Sequence, residues 1–211
     1  GPGGSTLDLF PQLLAESPLR GDRDLVLFDQ RGTLYSEPNL ACPEVFEETK
    51  RTLDQDLSDE EANRYYKEAV LACRDRMVSE GIDLSAFNSL ENARDIEALR
   101  VALGYDQINF YGVSYGTLLG QHLMREFPGS LRSVILDAVV PSQIDFNFQA
   151  VRTIDASMTA LFNACAEDAE CNAAYPDLEK TFFDLVDRLD ANPVEITLSD
   201  FNTGESYPAL L

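Results

Sequence analysis

Residues 107–117 read Gln-Ile-Asn-Phe-Tyr-Gly-Val-Ser-Tyr-Gly-Thr, and this stretch decides the fold. The segment 107–111 has the pattern of a buried strand and leads into Gly-Val-Ser-Tyr-Gly, and a helical pattern follows over 115–126. The pattern Gly-x-Ser-x-Gly between a strand and a helix predicts a sharp, strained turn that lifts the serine hydroxyl above the sheet edge. Gly112 and Gly116 are expected to remove side chains that would collide there. Ser114 is therefore the predicted nucleophile.

The surrounding elements predict a parallel sheet. Two further apolar runs, Asp24–Asp29 and Ser133–Asp137, have the length and composition of buried strands. Helical patterns cover 58–77, where Ser58 and Glu61 form a capping box, and a stretch that begins near Asn88 or Ser89 and ends at Gly104. Strands that alternate with helices favour right-handed βαβ units with helices on both faces of the sheet.

The strand pattern stops after Pro141. Residues 149–164 and 177–191 have helical patterns, and a hairpin with its turn at 202–204 is expected after them. We interpret residues 1–141 as a partial α/β core and residues 142–211 as a helical insertion.

The predicted chemistry needs donors for an oxyanion. Attack of a serine on an ester or amide carbonyl creates a negative oxygen that two backbone amides commonly stabilise. The Tyr115 N–H is one donor by position, because it follows the nucleophile. The loop Gly-Pro-Gly-Gly-Ser at residues 1–5 is of the kind that supplies the second. Glycine lets the backbone of such a loop approach a substrate closely.

Three segments together resemble a known family. Gly-Pro-Gly-Gly-Ser at 1–5, Asp-Gln-Arg-Gly-Thr at 29–33 and Tyr-Gly-Val-Ser-Tyr-Gly-Thr at 111–117 are similar, in the same order, to the proline iminopeptidase and tripeptidyl aminopeptidase group of α/β-hydrolases. The surroundings of the four cysteines resemble the secreted tripeptidyl aminopeptidase branch. The resemblance implies the α/β-hydrolase fold with a helical cap insertion, which residues 142–211 would begin, and the Gly1 N–H as the second oxyanion donor. One departure is Leu34, where many relatives have glycine.

The four cysteines permit three pairings. Proximity in the sequence favours Cys165 with Cys171, which leaves Cys42 for Cys73. Two disulfides predict an oxidising compartment, so that the protein would be secreted or periplasmic. The alternative is a cytoplasmic protein with four buried thiols.

The remaining members of a catalytic triad are not recognisable. In this fold the acid and the histidine follow the serine along the chain. His122, the only histidine, lies eight residues beyond Ser114, roughly 12 Å along a helix, and is expected to be a partly buried helix residue. Asp137, at the end of a strand, is an alternative triad acid. Asp29 and Arg31 are expected to form an ion pair that braces the loop below the site.

Charge and composition exclude several classes of function. The formal net charge is −21, from 37 acidic and 16 basic residues, which disfavours nucleic acid and anionic lipid as partners. No apolar stretch is long enough for a membrane span. No cysteine and histidine spacing suits zinc, so no metal is expected, and no cofactor is expected either. The chain opens inside a loop without a preceding strand. We therefore expect a fold that is incomplete at both ends and needs the remainder of the same protein.

The leading hypothesis is a serine hydrolase that removes residues from the N-terminal end of a peptide or amide through an acyl-enzyme on Ser114. An esterase with the same nucleophile is an alternative, because nothing in the turn separates esters from amides. A protein that kept the fold only for binding is the second alternative. The expected ligand is a small peptide or ester.

Overall fold

The computed structural model describes residues 3–15, 17–18, 20–200 and 203–211. The described residues contain eight α-helices and four β-strands. The helices are α1 (Thr6–Ala15), α2 (Pro43–Thr52), α3 (Asp59–Ser79), α4 (Ser89–Ala102), α5 (Tyr115–Glu126), α6 (Phe146–Glu167), α7 (Ala169–Ala174) and α8 (Leu178–Ala191). The strands are β1 (Ile108–Val113), β2 (Leu131–Asp137), β3 (Glu195–Ser199) and β4 (Ser206–Leu210).

The chain divides into two compact units. The first consists of residues up to Cys42 together with Arg74–Gln143, and the second of Pro43–Cys73 together with Ile144–Leu211. The predicted division into a core over 1–141 and a cap over 142–211 did not anticipate that residues 43–73 group with the second unit. Whether these units correspond to core and cap stays a prediction.

The first unit contains the βαβ element around Ser114. Strands β1 and β2 pair in parallel, in a register that runs from Ile108 opposite Leu131 to Val113 opposite Asp137. Helix α5 connects them, because parallel neighbours need a crossover. Both strands and the helix lie where the change from strand to helix periodicity predicted them.

The core of the first unit lies between α4, α5 and β1. Ala93 and Ile96 of α4 pack with Leu119 and Leu123 of α5, and all four are buried. Gly120 allows this close packing. A Cβ at Gly120 would lie 2.7 Å from Leu136 Cδ2 and 2.9 Å from Phe110 Cε1, closer than atoms can approach. The helix therefore lies directly on the two strands.

The segment over 24–29 is a correction to the sequence prediction. It pairs with none of the described strands, and Leu25 and Val26 are 43% and 45% exposed. A strand needs a neighbouring backbone for its N–H and C=O groups, and an apolar run alone does not supply one. Phe28 nevertheless packs against the core cluster of the first unit.

Two helix starts follow the local capping rules. At α3, Glu61 accepts a hydrogen bond from Ser58 N–H (3.1 Å), and Ser58 Oγ accepts one from Glu61 N–H (3.3 Å), as the capping box predicts. At α4, the Asn88 side chain accepts from the N–H groups of Leu90 and Glu91, both at 3.0 Å. These side chains occupy amides that a helix leaves without partners.

The second unit combines helices with a hairpin. Strands β3 and β4 pair antiparallel, which confirms the hairpin expected from the sequence. Leu210 N–H donates to Leu53 O at 2.8 Å and joins β4 to the residue after α2. Phe162 of α6 packs against Phe182 and Phe183 of α8, with ring centroids 5.9 and 6.2 Å away.

All four cysteines are disulfide-bonded. Cys165 and Cys171 are joined with their Cα atoms 5.1 Å apart. This confirms the expected Cys165–Cys171 pair, and Cys42 and Cys73 are disulfide-bonded as well. Within the described residues, no helix is both long enough and apolar enough to cross a membrane.

Candidate active site

Ser114 lies in the strained backbone conformation that its position predicts. Its φ is +54° and its ψ is −118°, between the last residue of β1 and the first residue of α5. A side chain other than glycine rarely adopts positive φ, and such strain persists only where the surrounding structure imposes it. The residue is exposed, so its hydroxyl is accessible from outside the first unit.

Backbone hydrogen bonds hold this turn on both sides. Ser114 N–H donates to Asp137 O at 2.9 Å, and Ser114 O accepts from Thr117 N–H at 2.9 Å. The Ser114 side chain makes no capping hydrogen bond with α5. Its hydroxyl is therefore not used to cap α5, and it lies at the helix end where the dipole favours negative charge.

The two flanking glycines differ in what they allow. A Cβ at Gly112 would lie only 2.4 Å from Gly116 O and 2.7 Å from Phe110 Cε1, so strand and helix meet there without room for a side chain. A Cβ at Gly116 would meet nothing within 4 Å. The expectation that both glycines prevent a collision is correct for Gly112 and wrong for Gly116, because the contact at Gly112 is with the backbone of Gly116.

The Tyr115 side chain has a structural role. Its hydroxyl lies 2.8 Å from Ser89 Oγ, and the residue packs against the buried cluster of α4 and α5. Only its backbone N–H remains a candidate for the oxyanion donor. The second expected donor, the Gly1 N–H, lies outside the described residues.

Asp29 supports the start of α1. Its carboxylate accepts hydrogen bonds from Ser5 Oγ (2.9 Å), Thr6 N–H (2.7 Å) and Leu7 N–H (3.2 Å). Burial alone would raise the pKa of Asp29, but the hydrogen bonds from Leu7, Ser5, Thr6 and Tyr35 outweigh it and hold the pKa below its ordinary value. The loop that carries the first glycines therefore has a fixed anchor at Ser5.

Arg31 does not pair with Asp29, which corrects the sequence prediction. Its Nε and Nη2 donate to the two carboxylate oxygens of Asp95, both at 2.6 Å, and its Nη1 donates to Ala86 O at 2.8 Å. A guanidinium matches a carboxylate with two parallel hydrogen bonds, and Asp95 on α4 offers both oxygens while Asp29 is occupied by amides. The pair with Asp95 raises the pKa of Arg31.

His122 and Asp137 have other partners. His122 is partly buried, as expected, and its Nδ1 lies 3.1 Å from Nη2 of Arg125. Burial, with the nearby Arg125 charge, lowers the pKa of His122. The Asp137 carboxylate accepts a hydrogen bond from the Tyr111 hydroxyl at 2.9 Å, which raises the pKa of Tyr111.

Thr117 and Gln121 are site residues that the sequence reasoning missed. Both lie on α5 within two turns of Ser114 and make hydrogen bonds to the segment that follows β2. The sequence offered one indication of this role, a threonine three residues after the serine. A threonine hydroxyl there can bond to a carbonyl of the preceding turn.

A family model described as the alpha/beta hydrolase fold matches residues 1–201. The chain belongs to this family. The α/β-hydrolase family is the one that the strand-to-helix turn at Ser114 and the glycine-rich loop at residues 1–5 indicated. Serine protease Hip1 of Mycobacterium tuberculosis is 31% identical over 183 residues, covering 83% of this chain and 35% of that protein.

Two further relatives are tripeptidyl aminopeptidases. Those of Streptomyces coelicolor and Streptomyces lividans are both 32% identical over 160 residues, covering 71% of this chain and 29% of each protein. This α/β-hydrolase chain thus spans about a third of the length of the curated relatives that it matches.

Proposed function

We propose that this chain carries the nucleophile of a serine hydrolase that cleaves peptides or amides through an acyl-enzyme on Ser114. The observation that carries the proposal is an exposed serine with φ +54° between a parallel strand and the helix that follows it. Relatives named serine protease and tripeptidyl aminopeptidase support the peptide class of substrate.

The proposed reaction proceeds in two stages. Ser114 Oγ attacks the carbonyl carbon, its proton passes to a general base, and the oxyanion accepts hydrogen bonds from Tyr115 N–H and Gly1 N–H. The amine leaves with a proton from the protonated base. Water then cleaves the acyl-enzyme in the same way and regenerates the serine. His122 cannot serve as this base, because it lies about 12 Å from Ser114 along α5 and its ring is within hydrogen-bonding distance of Arg125. A histidine and an acid outside these 211 residues would supply the base.

The finer proposal is cleavage from the N-terminal end of a peptide. Its support is the name of the tripeptidyl aminopeptidases, together with the resemblance of three segments to that group. In this reading residues 1–141 form the core and residues 142–211 begin a cap over the site. The disulfide bonding of all four cysteines supports a secreted or periplasmic location.

The test uses the full-length protein. A tripeptide amide with a free N-terminus, its N-acetylated counterpart and a short ester are offered to the wild type, to Ser114→Ala and to Ser133→Ala. Ser133 is an exposed serine of β2 and serves as the matched control. We expect cleavage of the free tripeptide amide, loss of at least about 10³-fold in kcat with Ser114→Ala, and no change with Ser133→Ala.

A fluorophosphonate probe that reacts with activated serines gives a second readout. Labelling should occur in the wild type and disappear only in Ser114→Ala. Equal cleavage of the acetylated peptide would contradict the N-terminal specificity, and cleavage of the ester alone would favour an esterase. Neither turnover nor labelling in the wild type would favour a protein that only binds.

A further inference from the structure

A buried threonine joins the serine turn to the segment that follows β2. The Thr117 side chain is fully buried, and its hydroxyl donates to Ser114 O at 2.6 Å. Thr117 Oγ1 in turn accepts a hydrogen bond from Val140 N–H at 2.8 Å. One hydroxyl therefore connects the backbone of the nucleophile with a residue 23 positions further along the chain.

Gln121, one turn further along α5, continues this connection. Its Nε2 donates to Val140 O at 2.8 Å and to Thr117 O at 3.2 Å. Its Oε1 accepts from Ser142 N–H at 3.2 Å. Every polar atom of this amide is thereby directed at backbone groups of α5 and of residues 138–142, a segment that we call the post-β2 segment.

The post-β2 segment is itself strained. Ala138 has φ +53°, and it directly follows Asp137, whose carbonyl accepts the Ser114 N–H. Ser114 and Ala138 thus both adopt positive φ although neither is glycine, and the hydrogen bond from Ser114 N–H to Asp137 O joins the two strained positions. Such conformations cost free energy and persist only where neighbouring contacts impose them. Thr117 and Gln121 contribute such contacts, through their hydrogen bonds to Val140 and Ser142 of this segment.

We propose that Thr117 and Gln121 are positioning residues that hold the Ser114 turn and the post-β2 segment as one rigid unit, so that the serine hydroxyl keeps its reactive orientation. The proposal rests on the proposed function, because it assigns the network to catalysis by Ser114. Without the Thr117 hydroxyl, Ser114 O loses its side-chain donor and Val140 N–H loses its acceptor. The strained turn can then relax, and a displacement of a reacting group by about 1 Å can cost 10²-fold in rate.

The experiment compares substitutions in the full-length protein. Thr117→Val keeps the shape of the side chain and removes its hydroxyl, while Thr117→Ser restores the hydroxyl. Ile96→Val, in the buried cluster of α4 and α5, is the control that perturbs packing of the same unit without touching the network. We expect Thr117→Val to lower kcat by about 10- to 100-fold with KM little changed, and to lower the rate of fluorophosphonate labelling in parallel.

Rescue separates positioning from simple loss of stability. Thr117→Ser should recover most of kcat, and Ile96→Val should retain it. If Thr117→Val does not fold, Gln121→Met, which keeps the length of the side chain but not its hydrogen bonds, carries the test with the same expected loss of kcat. Equal activities of the Val and Ser variants, or a loss with Ile96→Val as large as with Thr117→Val, would overturn the proposal. Full activity of Ser114→Ala would instead overturn the proposed function.

Discussion

At the scale of single residues, the serine turn depends on how closely two backbones approach. Gly112 has no room for a Cβ because Gly116 O would lie 2.4 Å from it, whereas the space beside Gly116 is open. The two glycines of the motif therefore differ in whether a side chain would fit at their positions. For Gly112 the reason is contact between strand and helix. For Gly116 no such contact exists, because a Cβ there would meet nothing within 4 Å among the described residues.

This difference gives a prediction with a control within the motif. Gly112→Ala should lower the free energy of unfolding by about 1–3 kcal/mol, because the new methyl group meets rigid backbone. Gly116→Ala should leave it unchanged or raise it by up to about 1 kcal/mol, since alanine favours a helix over glycine. Urea unfolding of both variants of the full-length protein measures these changes. Equal destabilisation by the two substitutions would contradict the steric argument.

At the scale of elements, helix starts show which contacts are local. The capping box at α3 and the Asn88 cap at α4 use side chains within three residues of the amides that they serve. Helix α1 differs. Ser5 accepts from Asp8 N–H locally, but Thr6 and Leu7 donate to Asp29, more than twenty residues away. The carboxylate of Asp29, which is distant along the chain, therefore fixes the start of the helix that follows the glycine-rich loop.

The Asp29 carboxylate gives a prediction about pH. Its folded pKa lies below the ordinary value of 3.8, so it contributes stability above that pH and loses the contribution as the pH falls through the folded pKa. Asp29→Asn should thus destabilise the full-length protein most near neutral pH, and its difference from the wild type should shrink as the pH falls below 3.8 and through the folded pKa.

Urea midpoints at several pH values measure this difference. Asp56→Asn, at an exposed aspartate of the second unit, removes the same charge and is the matched control. A difference between Asp29→Asn and the wild type that is independent of pH would show that the carboxylate charge has no part in fixing α1.

At the scale of the whole molecule, the chain carries part of what catalysis requires. The described residues include the serine turn and the helix whose first amide is the proposed oxyanion donor. The single histidine is bonded to Arg125 and lies too far along α5 to reach Ser114. The chain spans about a third of its curated relatives, so the proposed activity belongs to the full-length protein.

We therefore expect a protein of these 211 residues alone to show no enzymatic turnover of the tripeptide amide, while the full-length protein cleaves it. A serine without a base keeps at most about 10³- to 10⁴-fold over water, far below a complete triad. Parallel assays of both proteins measure this difference. Turnover by the 211 residues at the rate of the full-length protein, abolished by Ser114→Ala, would show that a base lies within them.

The sequence by itself determined the features that depend on near neighbours along the chain. The change of period at Ser114, the capping box at Ser58 and the Cys165–Cys171 pair all arise from residues a few positions apart, whose local geometry leaves few alternatives. The family resemblance likewise came from three short segments, at residues 1–5, 29–33 and 111–117.

Only the tertiary structure decided which distant groups meet. Arg31 binds Asp95, which is 64 residues away, and not the nearby Asp29, because Asp29 is occupied by the amides of α1. The apolar run at 24–29 lacks a described partner strand, and Thr117 meets Val140 across the unit. A pattern states what a residue can bond to, whereas the fold decides which partners come within reach and which are already taken.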